Sequence, residues 1–447
     1  MKKKNSYVKK IQNGLTPQQR LYQIVEDGMC IGCGICQSLA GPDNVRMNLV
    51  ENGAERPVVI GRIEPEVINK IIAVCPGTHI EGLPERLVDE ASRYDEVWGQ
   101  WRRISLAWAQ QSEVRYIGST GGLLTALGLY LVESGEVDFL LHATASNENP
   151  TFGERLISRN RADVLRGAGS RYGPTATLID MLEILDQCEK LNESFALIGT
   201  PCDITAMRNL AEIDPRVDEY CRYQLAMVCG GFMKPSGMKQ FLGDLGIRMD
   251  QVSDLRYRGY GCPGPTRIET LDGNVTEKNY LDFWGEDESV WQLPFRCKVC
   301  ADGIGDAADI AVSDTWDGGS PTWEGQIDDP GTNAAIVRSA AGEHLLDRAK
   351  AAGYVCVGDT LTPRDMDRLQ PHQVTKKHSV WARFVGMRSA GKVVPDVRGL
   401  RLKPLARRNT LKENLSQARG SRRRSMDGSN SEKTPIPLEP NAESPKR

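Results

Sequence analysis

Several features that would assign a class quickly are absent from this chain. No apolar run among its 447 residues approaches the roughly 20 needed to cross a bilayer, so no membrane span is expected. An excess of one charge is missing too. The 56 Lys/Arg and 59 Asp/Glu leave a net charge of -3, which argues against nucleic-acid binding driven by overall charge. The basic start "MKKKNSYVKK" lacks the apolar stretch that would make it a secretory signal. Without export, the 12 Cys are expected in a reducing, cytoplasmic setting, as thiols or metal ligands rather than disulfides. No internal repeat is visible, and neither a Walker A loop nor G-x-G-x-x-G occurs. What is present is enough apolar material for sizeable cores, at 40% of residues. The length suits two or three domains.

The pattern along the chain divides it. Residues 1–28 read as a polar lead-in with a short amphipathic helix, "PQQRLYQIVEDG". Residues 29–100 hold a Cys run, a loop, a short strand "ERPVVIGRI", a helix "EPEVINKIIAVC" and a Trp-rich connection. Residues 101–394 alternate short apolar runs with helices. "SLAWAQ", "DFLLHATA", "FALIG", "QLAMVCGG" and "DIAVSD" read as strands. "GGLLTALGLYLVESG", "RADVLRGAG", "TATLIDMLEILDQC" and "DITAMRNLAEI" read as helices. Such alternation favours an α/β architecture with a mixed or parallel sheet. Residues 395–447 are expected to be a largely disordered tail, basic over 398–424 and rich in Ser, Pro, Asn and Glu beyond. Its basic part reads as a solvated segment, with docking onto an acidic partner or nucleic acid as the sharper alternative.

The stretch "MCIGCGICQSLAGPD" places Cys30, Cys33 and Cys36 in a C-x2-C-x2-C run. Half of a bacterial ferredoxin begins this way, and three thiolates from one turn converge on a single cluster. The fourth ligand does not follow at once. The next Cys is Cys75 in "AVCPG", at the end of a helix that Pro76 stops. These four cysteines are assigned to one [4Fe–4S] cluster, with a zinc site as the alternative. Downstream, "RCKVCADG" offers Cys297 and Cys300. Alone, that pair is as readily a redox dithiol or a zinc half-site. Cys202 in "IGTPCDI" and Cys229 in "AMVCGG" fall at strand ends, which in α/β sheets converge on one rim. Together the four would complete a second thiolate set. Cys188, Cys221, Cys262 and Cys356 have no partner spacing and read as structural.

"YIGSTGGLLTALGLYLVESG" joins a small polar loop to a helix. Ser119 or Thr120 is expected to cap it, and Gly121 and Gly122 permit close backbone approach to a phosphate. An ordinary capped helix fits the same residues. In "GSRYGPT", Arg171 is able to pair with a phosphate and Tyr172 to stack on a ring, though both equally suit a turn. His142 and His79 read as a satisfied rim residue and a surface residue, respectively.

"CIGCGIC", "STGG", "GTPCDITAMR", "YRGYGCPGP" and "CKVCADGIGDAADIAVSDTW" occur in this order. Over residues 25–380 the chain resembles the family of the coenzyme F-420 hydrogenase/dehydrogenase beta subunit and of 7-hydroxymethyl chlorophyll a reductase. The resemblance implies FAD, one or two [4Fe–4S] clusters and redox chemistry on a planar heterocycle. It implies that Cys202, Cys229, Cys297 and Cys300 hold the second cluster. It carries Ser119, Thr120, Gly121 and Gly122 over as flavin contacts, with Tyr172, Thr200 and Asp302 as weaker ones. Cys262 departs from the Trp that relatives often have there.

The fold expected is therefore a mixed-sheet α/β flavin-binding domain with an N-terminal iron–sulfur subdomain and a disordered basic tail. The function expected is an iron–sulfur flavoprotein oxidoreductase. Electrons would run from a ferredoxin-like donor through the first cluster, the second and FAD to a tetrapyrrole-like ring. Two alternatives stay open: hydride exchange with coenzyme F-420 beside a partner dehydrogenase, and an electron-wiring role with no substrate of its own.

Overall fold

The structure is a computed structural model that describes residues 14–284, 291–326 and 329–437. Short β-branched and apolar runs build its centre, a sheet of eight strands. In chain order these are β1 Arg103–Ala109, β2 Phe139–Ala145, β3 Gly153–Ser158, β4 Phe195–Gly199, β5 Cys221–Met227, β6 Ile310–Asp314, β7 Asn333–Val337 and β8 Val355–Thr360. Their order across the sheet is β8-β1-β7-β6-β5-β4-β2-β3. The four strands β2, β4, β5 and β6 are parallel neighbours. The strand β7 is antiparallel to both β6 and β1, so β1 runs in the same direction as the parallel four. All five runs expected from the sequence are strands, and the sheet is mixed as expected.

Both faces of the sheet are covered, which is why its strands read as continuous apolar runs. Alternate residues serve the two sides. Phe139, Leu141, Phe195 and Leu197 pack into one core, while Leu140, Ala196 and Leu225 pack into the other. The helices that matter below are α1 Pro17–Glu26, α2 Ile35–Ala40, α3 Pro65–Val74, α4 Leu123–Glu133, α5 Pro201–Ala211, α6 Pro371–Ser389 and α7 Leu411–Met426.

The N-terminal part is a hairpin of Val45–Leu49 and Glu55–Val59 with α1, α2 and α3. Its core is not closed within residues 29–100. Val380, Phe384 and Met387 of α6, with Val393, Val394, Leu400 and Leu402, complete it.

The expectation of a disordered tail is corrected by the structure over residues 395–437. Asp396–Arg398 adds a parallel strand to His79–Glu81, and α7 lies along α6. The helix α7 leaves no apolar pattern in the sequence because it packs through small residues. Ser421 and Ser425 are its buried positions, one helical turn apart. On α6, a Cβ at Gly386 would lie 2.1 Å from the Ala418 carbonyl oxygen, so only glycine permits this approach. The tail then returns to the start of the chain, where Glu432 N donates to Glu26 O at 3.2 Å. Residues 438–447 and 1–13, the ends of the expected tail and lead-in, lie outside the described residues.

Candidate functional site

The first cysteine loop turns between α1 and α2. Gly32 and Gly34 take left-handed backbone conformations, at φ 84° and 88°, and wrap the loop tightly. Cys36 sits in the first turn of α2, and Cys75 ends α3 just before Pro76. Cys30, Cys33, Cys36 and Cys75 line one apolar cavity, walled by residues such as Leu21, Ile24, Met47 and Ile71. Burial pushes the Cys33 and Cys36 thiols well above their ordinary range, and the neighbouring thiols push them further. Cys75 is pushed up to about 11, by burial first and then by Cys30.

The second set forms at the carboxyl ends of the parallel strands. The chain leaves β4 at Gly199, and Thr200 caps α5 in a reciprocal pair with Asp203. Cys202 follows in the first turn, with its Sγ 2.9 Å from Thr200 Oγ1. Cys229 lies just beyond β5, where its N–H donates to Gly303 O at 2.7 Å. Cys297 and Cys300 flank the end of a short helix, Phe295–Lys298. Cys229 is pushed up to about 12 by burial, then by Cys297 and Cys300, and Cys202 by burial, Asp203 and Cys229. The structure thus brings together all four cysteines of each predicted set. Among the described residues, no three His, Cys, Asp or Glu stand close enough for a single metal ion.

Two buried arginines join the sets. Arg296 donates from Nη2 to the Pro76 carbonyl at 2.9 Å, while its charge acts on Cys300, Cys202 and Cys297. Arg56 is buried where the charges of both Cys30 and Cys297 act on it. It is held by Glu432 of the C-terminal segment through contacts of 2.7 and 2.8 Å. Neither arginine stands out in the sequence, because nothing in its spacing links residue 56 to residue 432.

The "STGG" loop follows β1 and reaches the same rim. Gly122, not Ser119 or Thr120, is the residue that opens α4, and it carries no side-chain cap bond. The cap expected from Ser119 or Thr120 is replaced by Asn333, whose Oδ1 accepts from Leu123 N at 3.2 Å. Thr120 donates instead to Asp314 at 2.5 Å, and Ser119 pairs with Ser170 at 2.8 Å. At the centre is Arg258, 3% exposed. It donates to Tyr172 OH at 3.1 Å, Asp314 Oδ2 at 3.0 Å and the Ser119 carbonyl at 2.8 Å. Its guanidinium lies 5.0 and 4.9 Å from the ring centres of Tyr280 and Trp316. Its Nε is buried with no hydrogen-bond partner among the described residues. Arg258 and Asp314 lie within "YRGYGCPGP" and "DIAVSDTW", yet no spacing in those motifs marks either residue as functional.

Of the remaining predicted contacts, Tyr172 stays linked to the loop through Arg258, and the others disperse. Arg171 donates to Leu255 O at 2.5 Å and lies over Tyr257. The Tyr172 ring packs against Tyr257, Phe283 and Trp284. Thr200 belongs to the Cys202 turn. Asp302 accepts from Ile304 N and Asp306 N in a buried charge group with Lys377 and Arg338, and none of these partners comes from the "STGG" loop. His142 is buried, 2.7 Å from Ser158 Oγ, and is pushed down to about 4 by burial and then by Arg166. Cys188 and Cys221 are core residues, Cys356 is half-buried, and Cys262 Sγ donates to Asp329 at 3.3 Å.

Two family models match, both of the coenzyme F-420 hydrogenase/dehydrogenase beta subunit. Residues 104–183 match the model of its N-terminal part, and residues 192–361 match the model of its C-terminal part. Together the matches cover more than half of the chain. They include the second cysteine set and leave out the first set and the C-terminal helices. Three curated relatives are similar. An uncharacterized protein of Methanocaldococcus jannaschii is 24% identical over 56% of this chain and 64% of its own length. The coenzyme F-420-dependent sulfite reductase of the same organism is 22% identical over 73% of this chain and 47% of its own length. The coenzyme F-420 hydrogenase subunit beta of Methanococcus voltae is 24% identical over 67% of this chain and 99% of its own length. The chain thus spans less than two thirds of the first two relatives. A solved chain of the F-420-reducing [NiFe] hydrogenase complex from Methanosarcina barkeri superposes with a TM-score of 0.46 at 18% identity, covering 64% of this chain and 95% of that one. No helix among the described residues is long and apolar enough to cross a membrane.

Proposed function

The chain belongs to the coenzyme F-420 hydrogenase/dehydrogenase beta subunit family, and on that premise we propose that it is an iron–sulfur flavoprotein oxidoreductase. The observation that carries this reading is the convergence of two four-cysteine sets beside the rim of the parallel strands. Sulfur donors in fours, spread around a shared space rather than drawn onto one point, suit a [4Fe–4S] cluster in each set. When bound, clusters pass single electrons and a flavin exchanges one or two, so the pair converts between the two kinds of chemistry.

The chain's own residues supply order, charge and dryness. Cys30, Cys33, Cys36 and Cys75 would hold the first cluster in a cavity that Leu21, Ile24 and Ile71 keep apolar. Cys202, Cys229, Cys297 and Cys300 would hold the second. Arg56 and Arg296 place positive charge between the sets and offset thiolate charge. FAD is assigned to the rim beside Ser119, Thr120, Gly121 and Gly122. There Arg258 fixes the loop through Asp314, and its buried Nε, without a hydrogen-bond partner among the described residues, is a donor suited to a flavin phosphate or carbonyl.

Of the substrate readings, the deazaflavin coenzyme now leads. Two of the relatives carry it in their names, and none carries a tetrapyrrole. The relative named as part of a hydrogenase makes a partner protein of the same complex a second candidate electron source beside a ferredoxin-like donor. The test is anaerobic turnover of the loaded chain with reduced methyl viologen and coenzyme F-420. Loss of the deazaflavin absorbance, abolished by Cys202→Ser, is expected. A loaded chain that reduces a tetrapyrrole and leaves the deazaflavin untouched overturns the substrate reading.

A further inference from the structure

A set of cations surrounds the outer edge of the second cysteine set, and the electron path proposed above gives it no role. Lys298 is exposed and follows Cys297 directly. Lys234, Arg424 and Arg383 are close enough to repel it, and Arg424 acts in the same way on Arg383. Among the described residues, the charges acting on Lys298 and Arg383 are all positive. Lys376 adds a fifth cation. Its ammonium lies 3.2 Å from the Gly230 carbonyl, and its charge acts on Cys229 and Cys297. Arg422 and Arg423 extend the positive surface along exposed positions of α7.

Four separate pieces of chain build this patch: the loop before Pro235, the Cys297 turn, α6 and α7. Asp427 acts on Arg423 and Arg424, but no carboxylate among the described residues acts on Lys298 or Arg383. Gathering like charges in this way costs stability, and a solvated tail would instead let them spread apart. The helix α7 holds Arg424 here through its small-residue seam on α6. This part of the chain lies outside the residues that match the family. Cys297 and Cys300 are half-buried at the centre of the patch.

We propose that this patch docks an acidic one-electron carrier protein, so that electrons cross the chain's surface beside Cys297 rather than at the N-terminal loop. The proposal rests on the second cysteine set holding a cluster. Carriers of this kind form small, weak, charge-steered interfaces, and a basic ring around a near-surface redox group is the complement they need. Each docked carrier would be oxidised by one electron as the chain is reduced by one. Two dockings and two protons would balance one two-electron reduction of the heterocycle. Duplex nucleic acid is the rival occupant. It is disfavoured because the patch is short, centred on a thiol pair, and set in a chain of net charge -3.

The experiment measures binding of an acidic plant-type [2Fe–2S] ferredoxin to the full chain by calorimetry at low and high salt. Iron, sulfide and flavin contents are recorded for every sample. Reversing two charges with Lys234→Glu and Arg424→Glu should weaken binding by about tenfold or more at low salt and flatten its salt dependence. Cofactor contents and reduction by the cationic dye methyl viologen should stay unchanged. Equal ferredoxin affinity in wild type and variant overturns the proposal. So does tight, salt-sensitive binding of a 20-base-pair duplex by a wild-type chain that ignores ferredoxin. Wild-type protein without labile sulfide would instead sink the cluster reading, and the ferredoxin affinities would still decide whether the patch docks an acidic partner.

Discussion

At the residue scale, the decisive groups are the buried arginines that the cysteines and the rim depend on. Arg56 acts electrostatically on both Cys30 and Cys297 and is paired with Glu432 at 2.7 Å. A positive charge beside a cluster favours its more reduced, more negative state. Arg56→Gln should therefore lower the midpoint potential of the first cluster, and Glu432→Gln should raise it, in an EPR-monitored redox titration. A merely structural role would move both in one direction or cost both variants their iron. Arg258 is a different case, because its charge is balanced by Asp314 at 3.0 Å. Asp314→Asn leaves that cation buried with its main partner weakened, and a loss of about 3 kcal/mol in urea unfolding is expected. An unchanged unfolding midpoint would show that the pair is dispensable. Cys30, Cys33, Cys36, Cys297 and Cys300 stand out in the sequence by their spacing, whereas Cys75, Cys202 and Cys229 needed predicted helix and strand ends to be grouped with them. The arginines do not stand out, since a single Arg in a strand or a "YRGYG" turn has no spacing to betray it. Only the fold reveals that Arg56 meets Glu432.

At the element scale, the sheet was legible and the tail was not. Runs such as "FALIG" and "DIAVSD" are buried on both faces, and that doubled burial is what makes them stand out as strands. The helix α7 hides because its seam is made of Ala418, Ser421 and Ser425 against Gly386, and small residues leave no apolar stripe. One local signal does mark it: Thr410 and Glu413 form a capping box at its start. Gly386→Val should push α7 off α6 and expose residues 411–426 to hydrogen exchange, while the central sheet keeps its protection. The short tail strand Asp396–Arg398 has its own lock. Burial works against the protonated form of His79, but the Asp396 and Glu81 carboxylates, 3.5 and 3.2 Å from its ring nitrogens, outweigh it and raise its pKa. The stability this lock contributes is complete below the unfolded His value of about 6.5 and is lost as pH rises through the higher folded value. The urea-midpoint advantage of wild type over His79→Gln should accordingly shrink as pH is raised from 6 towards 9. An advantage that grows with pH would contradict the lock.

At the scale of the whole molecule, the cysteine-rich N-terminal unit is not a separate appendage. Its core is closed by α6 and by Val393, Val394 and Leu400, and Arg56 of its hairpin is held by Glu432. Residues near both ends of the chain therefore complete one surface around two cysteine sets, while the sheet between them presents the "STGG" loop at its rim. Sequence patterns foresaw the mixed α/β sheet but not this closure, because packing between distant segments leaves no local period to read. The central claim is that each cysteine set holds a four-iron cluster. The most direct test is anaerobic purification of the full chain with iron, labile sulfide, zinc and flavin quantified. About eight iron and eight sulfide per chain are predicted, falling to about four of each in Cys75→Ser, with the flavin retained. Zinc with no labile sulfide, or about four iron that Cys297→Ser leaves unaltered, would contradict the account.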